Sequence, residues 1–481
     1  MTETDSSAIV KLLTPEGQSV LDSVDSTLLA ADPLQAATAL RRRARAHLAA
    51  TSRPQPADTA DTADTADTAN AQDVTGPPEA GGATGTSADA GTDTDANTTT
   101  ESWLREVSAA ALTQARLRLR AERKLGPVAQ RLYFTAAGLE QATRAAVASY
   151  RAERIAGVAP EAGLVGDLCC GVGMDLLALA NLGLTVHGVD IDPDTVAVAR
   201  ANVAALGLES SARVSLGDVT TDSPVRPEDC AAVCCDPARR DGGRRIFDPR
   251  AYTPPWDTVV ELVRRAPAGC LKVAPGIDHA LVPTGAGAEW ISVGGELKEA
   301  ALWFGALAEP GTRRATLLPG GSAEAHLGGT PRHPGVSLDP DPGLGDPPLS
   351  APRRYLYEPD DAVIRAGLVG EAAALVDGAL LDPQIAYITS DRKVDTPFCR
   401  GFEIDEMVPF SVKRLRALVR QRQFGTITIK KRGSAVDVDH LRRQLRPAGP
   451  NSATLVLTRI GKKPVCFVCS EVTTPRGTNL A

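Results

Sequence analysis

Between residues 164 and 240 the chain passes through four short apolar runs, and each carries an aspartate at or near its end. They are 164-LVGDL-168 with Asp167, 186-VHGVDIDP-193 with Asp190, 214-VSLGD-218 with Asp218 and 233-VCCDPARR-240 with Asp236. Helix-like stretches separate them. Strand-length apolar runs alternating with helical segments predict an α/β unit with a largely parallel sheet. In such a sheet the carboxyl ends of the strands form the edge where ligands bind. Four successive carboxylates at one edge therefore constrain both the fold and the ligand.

The first of these runs continues into a glycine turn and a helix, 164-LVGDLCCGVGMDLLALA-180. A dinucleotide fingerprint needs a third glycine, and here Gly171 and Gly173 are followed by Met174, Asp175 and Leu176. A P-loop needs G-K-[ST], which is absent. The carboxylates suit a different ligand. An acid after the second strand can accept two ribose hydroxyls, and an acid at the third can accept an adenine amino proton. A glycine turn with no phosphate-binding pattern lets the backbone approach a zwitterionic tail. An adenosyl amino acid meets these conditions better than a pyrophosphate.

On these residues the segment 164–320 resembles the class I S-adenosylmethionine-dependent methyltransferases. Asp167, Gly171 and Gly173 match the family's first motif, Asp190 the second, Asp218 the third and Asp236-Pro237 the fourth. The resemblance implies S-adenosylmethionine as cofactor, held by Asp167, Gly171, Gly173, Asp190 and Asp218. It implies an acceptor-positioning role for Asp236 and Pro237, and no metal. The form D-L-x-C-G-x-G is similar to that of several nucleic-acid-modifying methyltransferases. The fourth motif departs from the pattern, because Ala238 and two arginines stand where an aromatic is usual. Tyr252 or Trp256 could supply stacking or could simply pack. Cys270, at the start of an apolar strand, reads as buried, which argues against a cysteine nucleophile. The 239-RRDGGRR-245 run could grip phosphates or form a solvated loop, and both readings stay open. Glu296 and Lys298 could face the site or form a surface ion pair. Cys169, Cys170 and His187 read as packing or strand residues, and Asp192 as a helix N-cap.

The rest of the 481 residues divides by composition. Residues 1–50 are expected to be helical. Residues 51–100 hold nine acids, one base and an ADT repeat, and are expected to be a disordered acidic linker. That segment hides a body of about neutral charge within a chain of net −7. Residues 101–160 return to helix, 161–325 form the methyltransferase unit, 326–352 a Gly/Pro-rich linker and 353–400 a connecting region. The expected fold class is α/β, a Rossmann-like methyltransferase sheet with an N-terminal helical region and a small C-terminal α+β module. No apolar run is long enough to span a membrane and no secretory signal opens the chain, so a cytoplasmic location is expected.

Within the last module, residues 411–446 carry eleven Lys and Arg against two Asp. Its pattern predicts helix from Ser411, strand 426–431, helix from Asp437, then strands 453–458 and 464–470. Arg416, Arg420, Lys430 and Lys431 are expected to share a basic face, the electrostatic footprint of a polyanion binder. Through 409-PFSVKRLRALV-419, 426-TITIKKRG-433, 437-DVDHLRRQLR-446 and 454-TLVLTR-459, residues 401–471 resemble the THUMP-like domain of a group of bacterial, notably actinobacterial, methyltransferases. RNA as partner is implied by that resemblance. Cys466 and Cys469 lack a second pair at zinc spacing and read as structural. The main expectation is thus a methyltransferase acting on RNA. The alternatives are a methyltransferase of a small molecule or protein, and a non-catalytic RNA-binding protein that keeps the fold.

Overall fold

The computed structural model describes residues 3–51, 92–160, 163–238, 240–241, 244–245, 251–320 and 335–472. The chain forms two compact units, Met1–Leu117 and Arg118–Ala481.

The first unit is helical: α1 (Glu3–Leu12), α2 (Pro15–Asp22), α3 (Ser26–Ala31), α4 (Pro33–Thr51) and the first part of α5 (Thr92–Leu125). Thr14 caps α2 and Asp25 caps α3 by accepting a backbone N–H of the first turn. Leu12, Val20, Leu21, Leu29, Leu40, Leu104 and Val107 are buried. Of the acidic segment expected to be disordered, residues 52–91 lie outside the described residues. Residues 92–100 are helical, so α5 begins inside the expected linker. Thr and Asp, which favour caps and turns, disguised that start.

The second unit opens with the end of α5, continues with α6 (Ala136–Gln141) and α7 (Ala145–Ala156) and then builds a nine-stranded sheet. Its strands are β1 (Leu164–Leu168), β2 (Thr185–Asp190), β3 (Ala212–Leu216), β4 (Ala232–Cys235), β7 (Ala268–Val273), β8 (Gly287–Val293), β9 (Glu296–Gly305), β10 (Arg313–Leu318) and β11 (Val336–Leu338). Two-residue strands β5 (Arg240–Asp241) and β6 (Arg244–Arg245) pair as a separate hairpin. The order is β11-β10-β8-β9-β7-β4-β1-β2-β3, with β3, β2, β1, β4 and β7 parallel and β9 antiparallel to its neighbours. The chain steps outward from β1 to β3 and then returns beside β1 as β4. That reversal opens a crevice at the carboxyl ends of β1 and β4. Helices α8 (Met174–Asn181), α9 (Pro193–Leu206) and α10 (Trp256–Arg264) make the crossovers. Strand β11 pairs with β10, so this sheet extends past the expected boundary at 325 into the Gly/Pro-rich stretch.

A seven-stranded sheet follows: β12 (Tyr355–Pro359), β13 (Ala379–Asp382), β14 (Ile385–Ser390), β15 (Cys399–Pro409), β16 (Phe424–Lys431), β17 (Asn451–Ile460) and β18 (Lys463–Glu471), in the order β13-β14-β12-β15-β18-β17-β16. Region 353–400 is therefore three strands of this sheet, with α11 (Asp361–Ala366) and α12 (Val369–Leu375), and not a connection. Buried residues of α11 and β12 share one core with the first sheet. Helices α13 (Val412–Gln421) and α14 (Val438–Leu445) cover one face of the second sheet through Leu415, Val419, Leu441 and Leu445. On the other face the sheet curls on itself. Lys430 of β16 reaches Glu358 of β12, Arg459 of β17 reaches Asp382 of β13, and Phe402, Tyr387, Val456 and Phe467 fill the space between.

Candidate active site

All four strand-end aspartates stand at the carboxyl edge of the first sheet. Asp167 is the penultimate residue of β1, Asp190 the last of β2, Asp218 lies two residues past β3 and Asp236 one past β4. The β1–α8 turn passes over them with Gly171 at φ +57° and Gly173 at φ +88°. Only glycine adopts these angles without strain. A Cβ at Gly171 would meet nothing within 4 Å, so the turn leaves open space above the edge.

Asp190 ties this turn to the second strand. Its Oδ2 accepts from the N–H of Gly171 at 2.9 Å and its Oδ1 from the N–H of Asp192 at 3.1 Å. Burial raises its pKa, and these two donors oppose the rise. The next residue, Ile191, is 68% exposed, an apolar surface beside the acid that the sequence reading did not single out. Asp192 caps α9. Asp218 is held locally, its Oδ1 accepting from the N–H and hydroxyl of Thr220 at 2.8 and 2.6 Å. The Thr220 hydroxyl lowers its pKa.

Beneath the edge lies a buried network. Lys272 of β7, 4% exposed, donates to Asp236 Oδ2 at 2.5 Å and to Thr143 Oγ1 at 2.9 Å. Thr143 donates to Asp175 Oδ2 at 2.6 Å, and Arg151 of α7 donates to both Asp175 and Glu299 of β9. Burial would raise the Asp175 carboxyl, but Arg151 and Lys272 outweigh it and hold it below its ordinary value. Asp167 has no side-chain donor; the N–H of Leu176 donates to it and Arg151 attracts it only weakly. It is 2% exposed, its Oδ2 has no hydrogen bond, and Asp175 and Asp236 stand nearby. Burial first, and those two carboxylates second, push its pKa well above the ordinary range.

Pro237 is buried, and Ala238 bridges to Thr253, which brings 251–256 beside the Asp236 turn. Tyr252 and Trp256, candidates for stacking, are 3% and 9% exposed. The Tyr252 hydroxyl accepts from the N–H of Ala274 at 3.1 Å, and Trp256 belongs to the core. Both pack. Cys270 is buried, as are Cys466 and Cys469, and no cysteine is in a disulfide. Glu296 and Lys298 pair with each other. His187 is hydrogen-bonded to Ser215 across β2 and β3. In the arginine run, Arg239 lies outside the described residues. Among the described residues no group of three His, Cys, Asp or Glu could hold a metal, and no helix is long and apolar enough to cross a membrane.

The sequence reading missed Lys272, Thr143, Asp175, Arg151 and Glu299. Lys272 left a trace, a cation inside the apolar strand 269-GCLKVAP-275.

In the second sheet the expected basic face is corrected. Lys430 and Lys431 alternate to opposite faces of β16. Lys430 is half-buried and paired with Glu358, and the Lys431 ammonium donates to the carbonyl of Val436 at 2.8 Å. Arg416 and Arg420 are exposed on α13 with Lys413 and Arg414, and Arg443 and Arg446 are exposed on and just after α14. Lys413, Arg414, Arg416, Arg420 and Arg446 have no carboxylate partner among the described residues, and Arg443 is attracted to Asp437 without forming an ion pair. The unpaired basic surface is therefore the outer side of α13 and α14.

Comparison with known proteins agrees with this geometry. Residues 165–239 match the family "Methyltransferase domain", and residues 399–471 match "THUMP domain-like". An S-adenosylmethionine-dependent methyltransferase of Mycobacterium tuberculosis is 38% identical over 368 residues, which is 75% of this chain and 95% of that protein. A protein of Parasynechococcus marenigrum named as an RNA methyltransferase is 34% identical over 94 residues, 20% of each chain. The crystal structure of a protein from Porphyromonas gingivalis described as a methyltransferase shares the fold, with TM-score 0.62 and 22% identity over 76% of this chain and 91% of that one. The chain belongs to the S-adenosylmethionine-dependent methyltransferases. It is an enzyme, and S-adenosylmethionine is its cofactor.

Proposed function

We propose that the protein methylates RNA, which it grips through the outer side of α13 and α14. The observation that carries this reading is the set of six exposed bases on a folded THUMP-like region, five of them without a carboxylate partner among the described residues. Each is free to neutralise a phosphate. The name of the partial relative, an RNA methyltransferase, supports it.

The residues at the sheet edge fit the cofactor. The unpartnered Asp167 oxygen suits its ammonium, the remaining lone pairs of Asp190 its ribose hydroxyls, and Ile191 the face of its adenine. Asp218 Oδ2 is left for the adenine amino group, and the open turn at Gly171 and Gly173 admits the amino-acid end. When bound, S-adenosylmethionine supplies a methyl group activated on a sulfonium. Asp236, on the turn with Pro237, orients the acceptor and takes up the proton that the acceptor loses. Lys272, itself held by Thr143, fixes the Asp236 carboxylate from below, so that the acceptor is held in line with little motion left to lose. In this reading the methyltransferase unit and the basic region divide the task into chemistry and grip.

The test is transfer of tritium from methyl-labelled S-adenosylmethionine to purified total RNA, followed by nucleoside analysis. Label in one nucleoside is expected. Asp236→Ala should retain cofactor affinity and lose turnover. Label absent from RNA but present in a protein or small-molecule fraction sinks the RNA reading. Turnover by Asp236→Ala within a few-fold of wild type removes Asp236 from its role.

A further inference from the structure

Strands β16 and β17 are the one parallel pair in the second sheet among the described residues, joined by α14 in a β–α–β crossover. The carboxyl ends of such a pair are where a ligand would sit. A cavity of about 480 Å³ opens there, lined by Phe410, Gly433, Ser434, Thr458, Lys462 and Pro464 among others. Four features of its lining point to one kind of occupant.

First, the β16–α14 turn presents backbone donors. Gly433 has φ +66°, and the N–H groups of Gly433, Ser434 and Ala435 make no hydrogen bond among the described residues. Successive unpaired N–H groups before a helix form an anion-binding concavity. Second, Lys462 is exposed and has no carboxylate partner among the described residues. Its neighbour Arg459 is already committed to Asp382, Gln384 and the carbonyl of Gly461. Third, Thr458 is among the lining residues, and its hydroxyl, buried beneath the surface, has no partner. Fourth, Phe410 and Pro464 offer flat apolar surface. Phe410 also lies two residues before α13, so the cavity adjoins the helix that carries Lys413, Arg414, Arg416 and Arg420.

An anion of modest size attached to a flat ring, continuous with a surface for further phosphates, is a nucleotide within a strand. We infer that this cavity holds one unpaired nucleotide of the RNA, its phosphate on the 433–435 turn and Lys462, its base against Phe410. The inference rests on the RNA reading above and adds to it a site that takes single-stranded, not duplex, RNA.

The experiment is fluorescence anisotropy of the full chain with a labelled twelve-nucleotide oligouridylate at several salt concentrations, and with uridine monophosphate as competitor. Phe410→Leu keeps an apolar side chain but loses the aromatic face, and should weaken binding about tenfold, the effect of one lost stacking contact. Ala435→Asp sets a carboxylate in the exposed turn and should weaken it by a similar factor. Lys462→Ala should reduce the salt slope by about 0.7, one phosphate's worth on a single strand. Thermal melting and S-adenosylhomocysteine binding, both unchanged, verify that each variant is folded. Competition by uridine monophosphate at millimolar concentration supports the cavity as a nucleotide site. If Phe410→Leu and Ala435→Asp bind the strand within twofold of wild type while Arg416→Ala/Arg420→Ala binds weakly, the cavity is not a subsite and the RNA reading survives. If wild type does not bind the strand at low salt, both fall.

Discussion

The edge of the first sheet and the outer side of α13 and α14 are both rich in charge, and they treat it in opposite ways. At the sheet edge Arg151, Lys272, Asp175 and Glu299 are buried and interlocked by hydrogen bonds. On the helices Lys413, Arg414, Arg416 and Arg420 are exposed and without a carboxylate partner among the described residues. A buried charge is costly unless its partners are fixed, so a network of this kind holds its members in one geometry. An exposed charge costs little, pairs weakly and is screened by salt. The first arrangement suits placing an acceptor to a fraction of an ångström. The second suits holding a long polyanion in any of several registers. The difference predicts that single substitutions in the two regions report on different observables.

The largest effect belongs to the network. Lys272→Met removes a buried cation and leaves Asp236 and Thr143 without its hydrogen bonds, which should destabilise the fold by about 3–5 kcal/mol. Denaturant unfolding measures it, and Lys272→Arg should recover part of the loss. Arg416→Ala, in contrast, should leave the unfolding midpoint unchanged. If Lys272→Met costs no more than Arg416→Ala, the two regions do not differ in the way proposed.

Next is Asp190. Replacing it with Ala removes an acceptor for the ribose hydroxyls and also frees the Gly171 N–H, so the turn loses its tie to β2. Calorimetric titration should show cofactor affinity weaker by about 2–3 kcal/mol, the scale of hydrogen bonds to a charged group. RNA affinity should not move. Equal cofactor affinities in two folded proteins take Asp190 out of the site.

A smaller effect follows on the helices. Arg416→Ala together with Arg420→Ala should weaken binding of single-stranded RNA several-fold at low salt and flatten the log–log salt slope by about 1.4. Cofactor affinity should be untouched. A salt slope equal to that of wild type places the contacts elsewhere.

How much of this was legible follows the range of the interactions. The carboxylates at the ends of β1 to β4 were visible because strand length and turn chemistry are local. The α13, β16, α14, β17 and β18 pattern was visible for the same reason, since Ile427 and Ile429 alternate with Thr426 and Thr428. Thr143, in the connection between α6 and α7, and Arg151 of α7, by contrast, meet the site from a region that carries no motif, and Glu299 comes from an antiparallel strand about a hundred and fifty residues away from Arg151. Lys430 was misassigned because only the acids within 411–446 were weighed, whereas its partner Glu358 lies 72 residues earlier and arrives only when the sheet curls. Charge counts within a segment cannot see such closures. The roles of the aspartates were inferred from their placement, but that Asp167 has only a backbone donor, the N–H of Leu176, while Asp175 has Thr143 and Arg151 depends on packing alone.

The smallest effect concerns that contrast. Asp167 and Asp175 lie in one cluster with pKa values displaced in opposite directions. A carboxyl raised on folding contributes stability that is fully present below the usual aspartate range and is lost as pH rises through its folded pKa. A carboxyl lowered on folding contributes stability that is present above the usual range and lost as pH falls through its folded pKa. Asp167→Asn, which keeps the shape and removes the titration, should therefore leave the melting temperature higher than wild type near neutral pH and no higher in acid. Arg154, Tyr150 and Glu289 lie in a separate cluster and do not enter. Binding sharpens the point. The ammonium and sulfonium of S-adenosylmethionine favour an ionised carboxylate beside them, so its binding should expel part of a proton from Asp167. Calorimetric titration in phosphate and in Tris at the same pH detects that proton as a difference in apparent binding enthalpy. The difference should vanish in Asp167→Asn. A difference that persists there assigns the proton to another group and leaves Asp167 a packing residue, as buried as those of the network but without their function.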